Sequence, residues 1–503
     1  MIRISLTVVS TLLLWSSLPA PAQTSPEAPP SVQVAWDSVA RVSHTTASLQ
    51  VVVNPPLRRG SKIHDRVFQA LRDLQPDYAR LVPWLPYPRL AVAELEPPHD
   101  GRTFWDFSLI DPLTIDFLEA TKGHPSVLNF STTPQWMWVT PKPVAYPADP
   151  EEPVWNYSQG AELRDPSAQE LGDYYARLVS WYTLGGFVDE YGKRHESGHH
   201  YQVDWCEILN EPDLEHRIGP KMYTQIYDSI VTAIHAVAPG MKFLGVSVAY
   251  PSRGAEMFEY FLNPRNHQAG VPLDAISYHY YYSPAKDEPP EAQQFTAWDQ
   301  TNGFLNTVRY VESIRQRLSP KTATMINEVG AISADDGEQN RPGHVTKPIP
   351  NSYWNLCGAM YAYLFSELAN MGIDTVNASQ LVGYPTQYPS VSLVDWETGQ
   401  PNARFWVLKL LKDHFGPGDR LVRTPQPGPF VYAQAFLTGG NHRRLLLINR
   451  RNRDVEITLP GAVGATMRLV DQTTAFQPPS SATLKQEVVR LGGYAVVVVE
   501  FAE

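Results

Sequence analysis

Three things are scarce in this sequence of 503 residues: cysteine, charge, and apolar runs long enough to cross a membrane. Its two cysteines, Cys206 and Cys357, allow one disulfide at most, which excludes the cross-linked framework of small secreted domains. Neither cysteine has the neighbouring Cys or His spacing of a metal site. Charged residues make up 18% of the chain, with 52 Asp and Glu against 41 Lys and Arg. This acidic balance argues against nucleic acid as a partner, because phosphates need a basic surface.

The residues that are abundant suit a large folded domain with flat binding surfaces. Apolar residues account for 43% of the chain, which is enough to bury a core. The length suits one large domain plus a smaller one, since single cores stop growing at roughly 250–300 residues. The 13 Trp and 25 Tyr residues suit stacking against flat, weakly polar ligands, of which sugars are the obvious candidates.

The first 22 residues have the pattern of a secretory signal peptide. Arg3 precedes an apolar run, Val8–Leu14, which is too short to span a bilayer. The small-residue pattern Pro19–Ala22 follows, and it predicts cleavage after Ala22. We therefore expect a protein that is exported to the periplasm or beyond, without a membrane span.

An alternation of short apolar runs with longer helical patterns fills residues 48–418. The predicted strands are Leu49–Val53, Tyr78–Val82, Val127–Ser131, Val203–Leu209, Phe243–Val248, Ala275–Tyr281, Thr324–Glu328 and Thr375–Ser379. The predicted helices are Ile63–Leu74, Leu109–Ala120, Ala168–Tyr182, Met222–Ala238, Ala255–Leu262, Phe304–Leu318, Asn355–Asn370 and Arg404–His414. Eight strand–helix units over about 370 residues predict a (β/α)8 TIM barrel with loop insertions. A doubly wound open sheet is the alternative, but no glycine-rich phosphate loop follows the first strand.

The helical periodicity stops near residue 418, and short strands separated by turns follow over 419–503. These strands are predicted at Val431–Phe436, Arg444–Asn449, Val455–Leu459, Met467–Val470 and Tyr494–Phe501. They predict a small antiparallel β-sandwich, which a strand within residues 23–47 is expected to join. Two Pro-rich, acidic segments, Pro141–Asp165 and Ser283–Gln300, are predicted as insertions at the C-terminal face of the barrel.

The strongest chemical signal is Asn210-Glu211-Pro212, at the end of the predicted fourth strand. Glu211 can act as general acid and base, and Asn210 can hydrogen-bond a substrate hydroxyl. A second isolated carboxyl, Glu328, closes the seventh strand. Strands four and seven face each other across a barrel of small bore, so the two carboxyls can meet in one cleft. Two carboxyls about 5–5.5 Å apart are what a retaining glycosidase needs.

Other acidic residues near these two are predicted to have structural or surface roles. Glu207 lies deeper on the fourth strand, and we expect it to be a buried structural carboxylate. Asp213 and Glu215 follow Pro212 and are predicted as loop or helix-start residues. A polar stretch after Glu328 is predicted to be a solvated loop, and it holds Asp335, Asp336 and Glu338.

These motifs resemble the glycoside hydrolase clan A barrels, and most closely glycoside hydrolase family 39, which contains β-xylosidases and α-L-iduronidases. The resemblance covers roughly residues 48–415. It rests on the Asn-Glu-Pro of strand four, the strand-seven Glu328, Trp105–Asp111 before the second helix, Ser277–Tyr281 on strand six, and Arg80 on strand two. The residues flanking Glu328 depart from the Thr-Glu-Tyr or Thr-Glu-Trp pattern of the xylosidases.

The resemblance implies a role for each matching residue. Glu211 matches the family's acid/base, Glu328 its nucleophile, and Asn210 the residue that holds the 2-hydroxyl. His279 and Tyr281 match positions that line the subsite and orient the nucleophile. Donors that keep Glu328 ionised would include Tyr281 and Arg80. The aromatic walls are assigned to four tryptophans: Trp84, Trp136, Trp138 and Trp396. The mechanism requires neither a metal nor an organic cofactor.

The predicted activity is therefore that of an exported retaining glycoside hydrolase acting on oligosaccharides or polysaccharides of plant or microbial glycans. A β-xylosidase-like, exo-acting enzyme is the first interpretation, because long loops after strands three and six favour a pocket. An endo-acting glycanase of the same clan is the alternative within the class. A polysaccharide-binding protein that keeps the barrel without turnover is the alternative outside it.

Overall fold

The computed structural model describes residues 29–142, 145–157 and 159–502 of the chain. The predicted signal peptide, residues 1–22, lies outside the described residues. Across the described part, each helix is too short or too polar to cross a membrane. Cys206 and Cys357 are both buried and both free, so they serve as small apolar side chains.

Strands and helices alternate through the first four-fifths of the chain, and strands alone follow. The strands are β1 (Val39–Val42), β2 (Thr46–Val52), β3 (Ala79–Val82), β4 (Ser126–Asn129), β5 (Gly186–Val188), β6 (Arg194–Glu196), β7 (Trp205–Glu207), β8 (Lys242–Val248), β9 (Ala275–Tyr282), β10 (Ala323–Ala331), β11 (Thr375–Ala378), β12 (Arg420–Val422), β13 (Val431–Thr438), β14 (His442–Asn449), β15 (Val455–Thr458), β16 (Thr466–Val470), β17 (Ser480–Thr483), β18 (Val488–Leu491) and β19 (Val496–Glu500). The α-helices are α1 (His64–Leu74), α2 (Ile110–Ala120), α3 (Gln169–Thr183), α4 (Pro220–Val237), α5 (Ala255–Phe261), α6 (Pro290–Leu318), α7 (Asn351–Met371) and α8 (Ala403–His414).

Eight of these strands close into a parallel barrel in the order β2-β3-β4-β7-β8-β9-β10-β11. The last barrel strand pairs with the first, with Thr375 opposite Thr46. This closure confirms the predicted (β/α)8 barrel and excludes the open sheet. Because all eight strands are parallel, their C-terminal ends lie on one face, where barrel enzymes carry their sites.

An apolar layer and a polar layer of side chains fill the inside of the barrel. An apolar cluster plugs the N-terminal end and consists of Val127, Trp205, Leu244, Ala275 and Met325. One layer higher, the inward side chains are polar and surround Glu207 and Arg80, both of which are fully buried. Outside the strands, the helices bury apolar stripes at helical spacing, such as Ile226, Ile230 and Ile234 of α4. The polar layer therefore rests on a closed apolar base and opens only towards the C-terminal face.

The C-terminal strands form the predicted β-sandwich, with a seven-stranded sheet facing the pair β15–β18. The N-terminal segment contributes to it, because β1 pairs antiparallel with β12 and Ser31 bridges Thr458. Three strands of this domain were not predicted: β12, β17 and β18. They are only three or four residues long, and β17 is exposed throughout, so no apolar alternation marks it.

One predicted insertion is corrected by the structure. Only the first part of Ser283–Gln300 is loop, since α6 begins at Pro290 and runs unbroken to Leu318. A proline at the first helical position is favourable because its missing N–H would have no helical partner. The N-terminal half of α6 thus stands beside the C-terminal face of the barrel.

Candidate active site

Glu211 is presented by an unusual backbone turn just beyond β7. Leu209 and Glu211 both adopt left-handed conformations, with φ of 59° and 41°, and a short π-helical turn begins at Pro212. The Glu211 N–H donates to the Ser247 carbonyl at 2.9 Å, which anchors the turn to β8. Non-glycine residues in this region of backbone space are strained and cluster at functional sites. The turn leaves the Glu211 side chain 12% exposed at the barrel mouth.

Glu328 reaches the barrel interior because β10 contains a β-bulge. The register with β9 shifts between Met325 and Glu328, so the neighbours Asn327 and Glu328 both point inward despite the two-residue period of a strand. Glu328 accepts a hydrogen bond from Arg80 Nη1 at 2.6 Å on one oxygen and from the Tyr281 hydroxyl at 2.5 Å on the other. Both oxygens are therefore held in place by a donor.

His279 of β9 lies between the two carboxyls. Its Nδ1 is 2.8 Å from Glu211 Oε1 and 3.5 Å from Glu328 Oε2. Its Nε2 lies 3.1 Å from the Ser247 hydroxyl. A carboxylate oxygen of Glu211, one of Glu328 and a ring nitrogen of His279 all lie within 4.8 Å of one another. These three side chains form the centre of the candidate site.

The same three side chains could in principle ligate a metal, and in the described ranges they are the one such group. The local charge opposes that use. The Arg80 guanidinium already contacts Glu328, and a divalent cation would have to sit beside this fixed positive charge. The arrangement suits two carboxyls in different protonation states better than a metal centre.

The environment separates the pKa values of the two carboxyls. Burial, together with the negative charge of Glu328, raises the pKa of Glu211 against the opposing hydrogen bond from His279. Burial also acts against ionised Glu328, but His279, Arg80 and the Tyr281 hydroxyl outweigh it and lower the pKa of Glu328. A pair of carboxyls whose pKa values are driven apart can supply one proton donor and one anion at the same pH.

Arg80 links the candidate site to the polar layer below. Its guanidinium contacts the Glu207 carboxylate and donates to Gln50 Oε1 and Asn210 Oδ1, each at 2.6 Å. Glu207 in turn accepts hydrogen bonds from Asn129, Ser277 and Asn327. This surrounds a buried ion pair with hydrogen bonds, which is what makes such a pair tolerable in a low dielectric.

Glu215 is a component of the site that the sequence did not indicate. Its carboxyl accepts hydrogen bonds from Asn210 Nδ2 at 2.7 Å, Trp84 Nε1 at 2.8 Å and Gln159 Nε2 at 2.9 Å. Burial, with the charge of Glu211, raises the pKa of Glu215 to about 8 in spite of these donors. With Arg80 on its oxygen and Glu215 on its nitrogen, the Asn210 amide is fixed in one orientation.

A cavity of about 600 Å³ opens above Glu211, His279 and Glu328. Of the predicted aromatic residues, Trp84 and Tyr281 line it. The predicted site residues Asn210, Glu211, His279 and Glu328 line it too, and Arg80 lies directly beneath. Lining residues not predicted from the sequence include Gln50, Gln380 and Tyr388.

Three of the four predicted tryptophans lie elsewhere, which corrects their assignment to the aromatic wall. Trp136 donates to the Glu94 carbonyl and lies under the Arg164 guanidinium. Trp138 is buried against His216. Trp396 packs on the hydrophobic core from its edge. Each ring is used in packing, and a lone tryptophan in a sequence does not distinguish packing from binding.

Comparison with solved structures finds the same fold in several glycoside hydrolases. A family 51 arabinofuranosidase from Xanthomonas axonopodis pv. citri is 13% identical with a TM-score of 0.61, covering 94% of this chain and 100% of that chain. A family 39 β-xylosidase from Caulobacter crescentus is 14% identical with a TM-score of 0.59, covering 94% and 99%. A family 30 endoxylanase from Clostridium papyrosolvens is 13% identical with a TM-score of 0.54, covering 94% and 100%. At these identities the likeness shows the fold.

Sequence comparison adds one match, in the sandwich domain. Residues 431–499 match the family model of the D-apionate lactonase C-terminal, immunoglobulin-like domain. None of the curated proteins matches the chain by sequence.

Proposed function

We propose that the protein is a retaining glycoside hydrolase, with Glu328 as nucleophile and Glu211 as acid/base. The observation that carries the proposal is the pair of carboxyls with oxygens within 4.8 Å and with pKa values displaced in opposite directions. Retaining enzymes hold their carboxyls about 5–5.5 Å apart, whereas inverting enzymes need about 6.5–9.5 Å to admit a water. The clan A fold of the structural neighbours supports the same interpretation.

In this mechanism each group has one task per step. The Glu328 carboxylate attacks the anomeric carbon while Glu211 gives its proton to the departing oxygen, which leaves a covalent glycosyl-enzyme. Glu211, now ionised, takes a proton from water, and the resulting nucleophile releases the sugar and Glu328. Asn210, fixed by Arg80 and Glu215, is placed to hold a sugar hydroxyl with its remaining N–H.

We further propose exo action on a pentose glycoside. One end of the cavity carries an aromatic wall, in which Trp84 lies 5.8 Å from Tyr388 and 5.5 Å from Trp155. Trp155 belongs to the long segment after β4 and packs edge-on against both rings. Exo action requires that this wall limits extension of a glycan beyond one terminal sugar. Two structural neighbours are named as an arabinofuranosidase and a β-xylosidase, both of which act on pentosides.

Hydrolysis of 4-nitrophenyl glycosides, followed by NMR of the first-formed sugar, tests the proposal. We expect turnover of a pentoside, with β-D-xylopyranoside and α-L-arabinofuranoside as the first candidates, and the product should keep the substrate's anomeric configuration. An inverted product would overturn the proposed nucleophile. Cleavage of xylan alone would favour the endo-acting alternative, and binding without turnover would favour a polysaccharide-binding protein. Hydrolysis of a sugar lactone alone would favour lactonase chemistry, to which the sandwich match points.

Export remains part of the proposal, on the strength of the N-terminal pattern. If residues 1–22 are a signal peptide, the chain purified from the periplasm or medium should begin at Gln23. Intact mass measurement checks this. A periplasmic or secreted protein that retains Met1 would contradict cleavage, and accumulation of the chain in the cytoplasm alone would contradict export.

A further inference from the structure

The cavity does not end at the two carboxyls but continues on the Glu211 side into what we call the apolar chamber. Its walls come from the turn after β7, the loop after β8 and the N-terminal half of α6. The chamber is lined by Leu214, Ala249, Tyr250, Pro251, Gly303 and Phe304.

The outer lip of the apolar chamber is built from two segments that a single carboxylate ties together. Asp213 accepts the backbone N–H of Ala249 at 2.9 Å and of Tyr250 at 3.0 Å, which fastens the Glu211 turn to the loop after β8. Leu214 and Tyr250 flank this joint and are 42% and 47% exposed. Large apolar side chains that are exposed at the edge of a cavity are typical of ligand-binding surfaces.

The opposite wall contains a glycine that helix packing does not require. Gly303 lies inside α6, where glycine is less favourable than alanine. A Cβ atom at this position would meet nothing within 4 Å, so no close approach of a neighbour demands the glycine. Its effect is to leave the chamber open above Phe304, whose ring stacks on Tyr280 at 4.5 Å.

The polar side chains around the apolar chamber are largely engaged with the protein itself. Gln300 bonds both the N–H and the carbonyl of Ser283, and the Thr307 hydroxyl donates to the Gly303 carbonyl. Ser252 is exposed at the rim. A second sugar ring carries several hydroxyls that each need a partner, because an unpaired buried polar group is costly. The chamber offers few such partners and much apolar surface.

We propose that the apolar chamber binds the leaving group, and that this group is an aryl or alkyl alcohol instead of a second sugar. The inference rests on the proposed function, since the departing oxygen must face the proton on Glu211 and the chamber begins beside that residue. The substrate class is then a glycoside with an apolar aglycone, whose release yields one sugar and one apolar alcohol.

The test compares glycosides whose leaving alcohols have similar acidity. A difference in their rates then reports binding of the leaving group in the apolar chamber, because the departing oxygens are about equally easy to expel. The probes are the methyl glycoside, the 2-phenylethyl glycoside and a disaccharide of whichever sugar is turned over best as its 4-nitrophenyl glycoside. We expect kcat/KM for the 2-phenylethyl glycoside to exceed that for the methyl glycoside at least about tenfold, as filling an apolar pocket does, and to exceed that for the disaccharide. A disaccharide that is preferred to the 2-phenylethyl glycoside would overturn the inference while leaving the glycosidase proposal intact. No turnover of any glycoside would instead defeat the proposed function itself.

Gly303→Leu tests the apolar chamber without weakening the helix, because leucine is the better helix former. The added side chain should lower kcat/KM for the 2-phenylethyl glycoside about tenfold more than for the methyl glycoside. Asn306→Leu places the same side chain three residues further along α6, at an exposed position outside the cavity lining, and should not change the ratio. If Gly303→Leu had the melting temperature of wild type and an unchanged ratio of the two kcat/KM values, the proposal would be wrong.

Discussion

Replacing Glu328 by alanine is expected to lower kcat roughly 10⁴- to 10⁶-fold, the scale seen when a covalent nucleophile is removed. In the proposed mechanism the Glu328 carboxylate forms the bond to the anomeric carbon, and Glu211 is already assigned to proton transfer. Arg80 and Tyr281 would remain and would face the space that the carboxylate leaves. Rates on the preferred 4-nitrophenyl glycoside, with the melting temperature as a check of folding, measure the effect.

Rescue of Glu328→Ala by azide would show that the variant has lost only its nucleophile and that the rest of the site is intact. A small anion can enter the space left by the Glu328 carboxylate beside the Arg80 guanidinium, and one displacement by it should give a glycosyl azide of inverted configuration. Glu338→Ala is the control, because that carboxyl lies in the loop after β10 and pairs with Lys286 at the surface. We expect the control to retain wild-type rates. If Glu328→Ala kept a tenth of the wild-type rate or more, the assignment of the nucleophile would be wrong.

The sequence was sufficient to predict that Glu211 and Glu328 lie together, because their placement depends on local patterns. Strand and helix periodicity set the order of the barrel strands, and a parallel barrel brings the ends of β7 and β10 to one face. Glu211 and Glu328 therefore meet although they are 117 positions apart along the chain. The β-bulge that turns Glu328 inward is a register feature, and no residue type announces it.

The contacts that surround the two carboxyls could not be predicted from the sequence, for a physical reason. Glu215 belongs to the site because Trp84 and Gln159, which lie 131 and 56 residues away in sequence, donate to its carboxyl. Such contacts depend on how loops fold over the barrel mouth, and loop conformation has no periodic signal. The same limit explains Trp136 and Trp138, which lie in the loop after β4. Their rings contact Glu94 and His216 and do not line the cavity.

The second large effect is expected from Glu211→Ala, and it should depend on the leaving group. An alkyl glycoside needs the Glu211 proton to depart, so its kcat/KM should fall about 10²- to 10⁴-fold, the usual contribution of general acid catalysis. A 4-nitrophenolate leaves without a proton, so kcat/KM for that substrate should fall much less. For the 4-nitrophenyl glycoside kcat should fall instead, because hydrolysis of the glycosyl-enzyme no longer has Glu211 as the general base for water. Azide should restore this step and give a glycosyl azide of retained configuration.

The pH dependence of Glu211→Ala provides an independent test of the same assignment. In the proposed mechanism, wild-type activity needs Glu328 ionised and Glu211 protonated. It should be lost as pH falls through the lowered pKa of Glu328 and as pH rises through the raised pKa of Glu211. The alanine variant should keep the acid limb and lose the alkaline limb assigned to Glu211.

Glu215→Gln is the matched control for this profile, because it removes a neighbouring carboxyl whose pKa is raised to about 8 but leaves the proton donor in place. It should keep the leaving-group dependence of wild type, since Glu211 still protonates the departing oxygen. If activity changes near pH 8 in wild type but not in Glu215→Gln, we assign that change to ionisation of Glu215, which acts through its hydrogen bond with Asn210. If Glu211→Ala kept both the alkaline limb and the wild-type rate on the alkyl glycoside, Glu211 could not be the acid.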